Sequence, residues 1–70
     1  MDDKKRVLLD YMRVKYYCRK NNMTISDLAD ELGITRQTIL SWSKKPTFLY
    51  NLWLLEDALQ VKTGELSLTS

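Results

Sequence analysis

The chain has 70 residues, a formal net charge of +2, 44% hydrophobic residues and 29% charged residues, a composition typical of one small globular domain. It contains no histidine and one cysteine, Cys18, so it lacks the usual proton-transfer side chain and cannot form an internal disulfide. There is also no Gly-rich phosphate loop and no cluster of metal ligands in the sequence. We therefore expect a protein that is not an enzyme and that has no cofactor, metal site or small-molecule ligand.

The charges are distributed unevenly. Residues 1–22 carry seven Lys or Arg against three Asp, residues 23–45 carry three basic and three acidic residues, and residues 46–70 carry one Lys against three acidic residues. This asymmetry predicts a surface with a basic and an acidic end, although solvated helix faces explain any single charge equally well. No run is apolar and long enough to span a bilayer, so we expect a cytoplasmic protein without a membrane partner.

Two Gly, one Pro and long stretches of helix-forming residues predict an all-α fold. The first predicted helix runs from about Asp3 to Asn21, with Asp2 and Asp3 at its positive end. Asn21-Asn22 is expected to end it, since Asn tolerates left-handed geometry. One face of this helix carries apolar residues at spacings of four, three and four, namely Val7, Tyr11, Val14 and Cys18.

The middle of the chain predicts two short helices joined by a tight turn at Gly33. Thr24 and Thr35 are N-cap candidates, and they precede helices of about Ile25 to Leu32 and about Arg36 to Lys44. A left-handed residue costs glycine least, so the first of these two helices is expected to end at Gly33. Two helix starts and one stop over about 24–44 indicate a helix-turn-helix.

The last part of the chain predicts further helix. Lys45-Pro46-Thr47 breaks the third helix because a residue before proline is pushed out of helical geometry. A fourth helix is predicted from about Phe48 to Gln60, with Leu52, Leu55 and Leu59 inward, and a final helical turn from Thr63 buries Leu66. The predicted fold class is therefore all-α, a compact bundle of about five helices in a single domain, residues 1–70. The fourth helix also carries apolar residues beyond its inward stripe: Phe48, Tyr50, Trp53 and Leu54.

Several of these residues resemble the helix-turn-helix DNA-binding family of phage Cro proteins and lambda-type repressors. The matching elements are Leu28-Ala29, Gly33-Ile34-Thr35, Ile39, Trp42, Asp57-Ala58-Leu59-Gln60-Val61 and Gly64-Glu65-Leu66, within about Val14 to Leu66. The resemblance implies a lambda repressor-like fold and a transcription regulator, a Cro-like phage or prophage repressor in a bacterial cell or phage-infected host. Two residues depart from the family pattern. Ile25 stands where many relatives have a phosphate-anchoring Gln, so Ser26 or Thr24 would have to substitute, and Leu40 is unusually apolar for the recognition helix.

The resemblance places the third helix in the major groove of double-stranded operator DNA. It implies base contacts from Arg36, Gln37, Leu40 and Ser41. It also implies backbone phosphate contacts from Thr24, Ser26, Thr38, Lys44 and Lys45. The side-chain types are suitable, since Arg can donate two bonds to guanine, Gln can bond adenine and an apolar group can touch the thymine methyl. Each of them could instead be an ordinary solvent-facing side chain.

The surplus apolar residues of the fourth helix offer a partner surface. Members of the family usually bind inverted repeats as dimers, which implies a homodimer interface at Phe48, Tyr50, Trp53 and Leu54, although some of these, Trp53 first, could complete the core. A hypothesis from another class is a protein-interaction module, such as an antitoxin-like or inhibitor domain that uses the fourth helix. The weak net charge and Leu40 favour this alternative.

Overall fold

The computed structural model describes residues 5–68, and most of its helices begin and end at capping or helix-breaking residues of the sequence. In chain order the elements are β1 (Arg6–Val7), α1 (Tyr11–Lys20), α2 (Ile25–Leu32), α3 (Arg36–Lys44), β2 (Thr47–Phe48) and α4 (Leu49–Leu59). The described part of the chain is thus mostly helical, with one small antiparallel sheet in which β1 pairs with β2. The predicted bounds of α2 and α3 are confirmed.

The predicted start of the first helix is wrong. α1 begins at Tyr11, and its N-cap is Asp10, whose Oδ1 accepts from the Arg13 amide at 3.3 Å. Upstream of Asp10 the backbone bonds to distant segments, since the Leu9 amide donates to the Trp42 carbonyl oxygen at 3.0 Å. These bonds replace the i to i−4 bonds that a helix would make. The remaining predicted cap residues, at positions 2 and 3, lie outside the described residues.

Two other parts of the chain differ from the predicted five-helix bundle. Residues 47–48 form a strand, and residues 63–66 form successive turns, so residues 5–68 contain four helices. Leu66 is nevertheless fully buried, as predicted. Glu56, a buried residue of α4, accepts from the amides of Gly64 at 2.8 Å and Leu66 at 3.1 Å through its Oε2. This carboxylate therefore satisfies two backbone donors of the turns over residues 63–66.

The predicted break at Lys45-Pro46-Thr47 is confirmed, and α4 starts and stops one residue inside its predicted bounds.

The core contains residues from every helix and from the N-terminal segment. Val7 and Tyr11 of the predicted first stripe are only partly buried and pack against the core. The core cluster is formed by Leu9, Val14, Cys18, Ile25, Leu28, Ala29, Ile39, Leu52, Leu55, Leu59 and Leu66.

The connection between α2 and α3 is a short turn built on Gly33. Its φ of 73° and ψ of 25° are left-handed, a conformation that favours glycine. The Gly33 amide donates to the Asp30 carbonyl at 3.2 Å, and the Ile34 amide donates to the Ala29 carbonyl at 2.9 Å. These two bonds satisfy the last carbonyls of α2 in a Schellman arrangement. The predicted end of α2 at Gly33 is confirmed.

A second local network holds α1 to the C-terminal turn. The Arg13 Nη1 lies 2.5 Å from the Glu65 Oε1, and the Tyr17 hydroxyl donates to the same oxygen at 3.0 Å. This hydrogen bond, together with desolvation and the negative charge of Glu65, raises the pKa of the Tyr17 phenol above its usual value of 10.0. The folded chain therefore keeps the Tyr17 proton to a higher pH than the unfolded chain does.

Substitutions at Gly33 should destabilise the fold through backbone strain alone. A Cβ added there would meet no heavy atom of residues 5–68 within 4 Å. Gly33→Ala should therefore cost about 1–2 kcal/mol for the left-handed conformation, and Gly33→Val should cost more because a β-branched residue resists positive φ. Urea unfolding measures both changes. Gly33→Asn is the control, since Asn tolerates this conformation. Equal stability of the Asn and Val variants would contradict the assigned role of φ.

Removal of the Tyr17 hydroxyl should weaken the pH dependence of stability in alkaline solution. Because the pKa is raised in the folded state, the wild-type free energy of unfolding should fall as the pH rises above about 10. Tyr17→Phe should show a smaller fall in denaturant unfolding at a series of pH values. Tyr50→Phe, at an exposed position of α4, should retain the wild-type fall. An identical fall in the Tyr17 variant would exclude this linkage.

Candidate functional site

One face of α3 is held in the core, and this fixes which side chains point outward. Ile39 is fully buried and Trp42 packs against the core cluster. Residues three and four positions apart share a helix face, so burial of Ile39 and Trp42 turns the remaining positions away from the core. The exposed side chains of α3 are Arg36, Gln37, Ser41 and Lys44.

The first turn of α3 is held by two threonines. The Thr35 Oγ1 accepts from the Thr38 amide at 3.2 Å, which confirms the predicted N-cap. The two threonine hydroxyl oxygens are 3.0 Å apart and share a hydrogen bond. Thr38 is only partly exposed. Its hydroxyl, which the sequence predicted to contact phosphate, is already hydrogen-bonded to Thr35.

The Ser41 hydroxyl is also engaged by the helix backbone. Its Oγ donates to the Thr38 carbonyl oxygen at 2.6 Å, a bond to the preceding turn that serine commonly makes in helices. The single hydroxyl proton is used in this bond, so the exposed oxygen can only accept further hydrogen bonds. In this conformation Ser41 can bind a donor such as an amino group.

Leu40 is less exposed than the two lysines at the C-terminal end of α3. Leu40, which the sequence placed on the exposed side, is half-buried. Lys44 is exposed in the last turn, and Lys45 is exposed at the C-cap, where its amide donates to the Ser41 carbonyl at 3.0 Å. Two cations at this end also complement the negative end of the helix dipole.

The start of α2 is a complete capping box. The Thr24 Oγ1 accepts from the Asp27 amide at 3.0 Å, and the Asp27 Oδ2 accepts from the Thr24 amide at 2.9 Å. The predicted Thr24 cap is thus confirmed, with a reciprocal bond from the carboxylate. Thr24 and Ser26 are exposed at this helix terminus, while Ile25 is buried.

A concave surface lies where α1 meets the starts of α2 and α3. Its volume is about 340 Å³. Two of its basic side chains, Lys15 and Arg19, come from α1 and were not among the predicted site residues. Their spacing of four places them on one face of α1, but only the fold reveals that this face lies beside Arg36. The lining residues are Tyr11, Lys15, Cys18, Arg19, Met23, Thr24, Ile25 and Arg36.

Cys18 is an inert part of this surface. It is a free cysteine and is 1% exposed. Burial raises the pKa of the Cys18 thiol, and the negative charge of Asp27 raises it further. The thiol therefore stays protonated near neutral pH, and it is a poor nucleophile.

The predicted dimer residues fall into two groups. Phe48, Tyr50 and Leu54 are exposed by 45%, 63% and 36%, and the Arg6 guanidinium carbon lies 4.4 Å from the centroid of the Phe48 ring. Trp53 is half-buried, and its Nε1 is buried without a hydrogen-bond partner among residues 5–68. The apolar patch (Phe48, Tyr50 and Leu54) is therefore smaller than the predicted surface.

No protein-family model, curated protein or solved structure matches the chain. Within residues 5–68, none of the helices has the length and apolar character needed to cross a membrane. The same residues contain no group of three or more His, Cys, Asp or Glu that could hold a metal ion. Support for a function therefore comes from the arrangement of α1, α2 and α3.

Proposed function

We propose that the chain is a sequence-specific DNA-binding transcription regulator, a Cro-like phage or prophage repressor. In this proposal α2 and α3 form a helix-turn-helix, and α3 enters the major groove of operator DNA. The main support is the left-handed turn at Gly33 between two capped helices, the second of which buries Ile39 and leaves Arg36 and Gln37 exposed. The resemblance to Cro and lambda-type repressors supports the same interpretation.

The exposed side chains of α3 suit the edges of base pairs. Arg36 could donate two hydrogen bonds to guanine, and Gln37 could bond both edge groups of adenine. Ser41 would accept from the amino group of cytosine or adenine, because its proton is bonded to the Thr38 carbonyl. Leu40 could touch a thymine methyl through its exposed part. Each good bidentate pair is worth about 1–3 kcal/mol of discrimination.

Backbone phosphates would be bound on both sides of this helix. Lys44 and Lys45 would contact one strand, and Thr24 and Ser26 would contact phosphate at the start of α2, where the helix dipole favours an anion. Ile25 is buried and makes no such contact in this scheme. Thr38 was also predicted to contact phosphate, but it is the least suitable of these residues because its hydroxyl is bonded to Thr35.

The charge at the start of α3 also favours an anionic partner. Arg36 occupies the first turn, and this turn contains no acidic residue. A cation is unfavourable at a helix N-terminus because the dipole there is positive. Side chains that oppose local stability in this way are common at functional sites. A nearby phosphate would relieve the repulsion.

The apolar patch would contact a second copy of the chain on DNA. A dimer would place two α3 helices in successive major grooves, with half-sites about one helical turn apart. Phe48, Tyr50 and Leu54 would form the contact, with Trp53 at its edge. These exposed apolar side chains also favour the second candidate function, a protein-interaction module of the antitoxin-like or inhibitor type.

Substitutions on α3 should separate base contacts from phosphate contacts. Against a duplex selected from random sequences, Arg36→Ala should lose about tenfold or more in affinity and should tolerate changes in the selected sequence. Lys44→Ala should weaken selected and unrelated duplexes by the same factor, and should reduce the salt slope by about one. Fluorescence anisotropy measures both effects. Lys62→Ala, beyond α4, is the matched charge control and should bind as wild type.

The double variant Arg36→Ala/Gln37→Ala distinguishes the two candidate functions. Equal DNA binding by this variant and the wild type would exclude α3 as the base-contacting element. DNA binding should weaken steeply as salt rises, whereas an apolar contact with a protein should not. Absence of salt-dependent DNA binding by the wild type would favour the protein-interaction module.

A charged residue introduced into the apolar patch should dissociate the dimer into monomers. Wild type should sediment as a dimer at micromolar concentration or on an inverted repeat, and Leu54→Asp should sediment as a monomer because a carboxylate there would be desolvated without a partner. Met12→Asp is the matched control, since Met12 is an exposed apolar residue of α1. A wild-type monomer whose binding to an inverted repeat is unchanged by Leu54→Asp would exclude the dimer.

A further inference from the structure

Two of the four basic side chains of α1 contact other groups of the protein. Arg13 pairs with Glu65, its Nη1 2.5 Å from the Glu65 Oε1, and its Nε lies 3.6 Å from an oxygen of Asp10. The Lys20 Nζ lies 5.4 Å from the centroid of the Tyr16 ring. Both cations therefore contact groups of the protein itself.

The other two cations of α1 lie on the concave surface beside Arg36. Lys15 and Arg19 are exposed and line that surface. Within residues 5–68, the ion pairs are confined to Arg13, so Lys15, Arg19 and Arg36 have no carboxylate partner there. Among the described residues that line the surface, none is acidic.

The backbone adds positive charge to the same place. Thr24 and Ile25, at the start of α2, and Arg36, at the start of α3, line the surface, and a helix N-terminus carries partial positive charge. The nearby Asp27 carboxylate accepts from the Thr24 amide and serves as a cap. Asp27 thus offsets the positive end of α2, whereas the first turn of α3 contains no acidic residue. The three cations and the N-terminus of α3 therefore repel one another around the concavity, and a bound anion would reduce this repulsion.

We propose that Lys15 and Arg19 bind a backbone phosphate of the duplex whose bases α3 contacts. This inference rests on the proposed DNA-binding function, and it adds α1 to the DNA-binding surface. The volume of about 340 Å³ is roughly ten times the ~30 Å³ share of one water molecule in the liquid, so a phosphate group fits. The half-buried side chains of Tyr11 and Met23 provide an apolar wall against which a deoxyribose can pack.

The test compares Lys15→Gln/Arg19→Gln with Lys20→Gln in anisotropy titrations of the full chain at several salt concentrations. Loss of this phosphate contact should reduce the slope of log affinity against log salt by about 0.9, which is the contribution of one neutralised phosphate. Selected and mixed-sequence duplexes should weaken by the same factor, because phosphate contacts carry no sequence information. Lys20→Gln removes a neighbouring charge from the same helix and should leave the slope unchanged.

A charge-preserving variant controls for changes in folding. Lys15→Arg/Arg19→Lys should retain the wild-type slope. An unchanged slope in the double Gln variant, or an equal reduction in Lys20→Gln, would overturn the inference while DNA binding by the wild type still stood. If the wild type itself bound no DNA, both the inference and the proposed function would be overturned.

Discussion

The left-handed backbone of Gly33 determines how α3 is presented. The amides of Gly33 and Ile34 return to carbonyls of α2, and Thr35 then caps α3. The direction of α3 is thus set by hydrogen bonds within a few residues, while burial of Ile39 sets its rotation about its own axis. Neither constraint uses the side chains of Arg36, Gln37 or Lys44, so these exposed groups stay available for a partner.

The far end of α3 is held by segments that are distant in sequence. The Trp42 carbonyl accepts from the Leu9 amide, and the Asp10 amide in turn donates to the Leu66 carbonyl at 2.8 Å. Glu56 organises the turn that contains Leu66 through its Oε2. The two ends of the described chain therefore meet beside the last turn of α3.

The features set by neighbouring residues could be predicted from the sequence, and those set by distant segments could not. The caps at Thr24 and Thr35 and the left-handed Gly33 depend on neighbours three to five residues away, and they were predicted correctly. The N-terminal segment was wrongly assigned to a helix because its conformation depends on partners such as Phe48, which helical periodicity does not reveal. The same limit applies to the site. Exposure of Arg36 and Gln37 could be predicted from Ile39, but the engaged hydroxyls of α3 and the approach of α1 could not.

The net charge of +2 understates the positive charge available to a partner. Four carboxylates are engaged inside the molecule, as helix caps, as a buried acceptor or as a partner of Arg13: Asp10, Asp27, Glu56 and Glu65. Cations on and beside the polar face of α3 are exposed and have no ion-pair partner within residues 5–68: Lys15, Arg19, Arg36, Lys44 and Lys45. Association with a polyanion depends on such local positive potential more than on the total charge. The weak net charge, which favoured a protein-interaction module, therefore counts less against DNA binding once these four carboxylates are located.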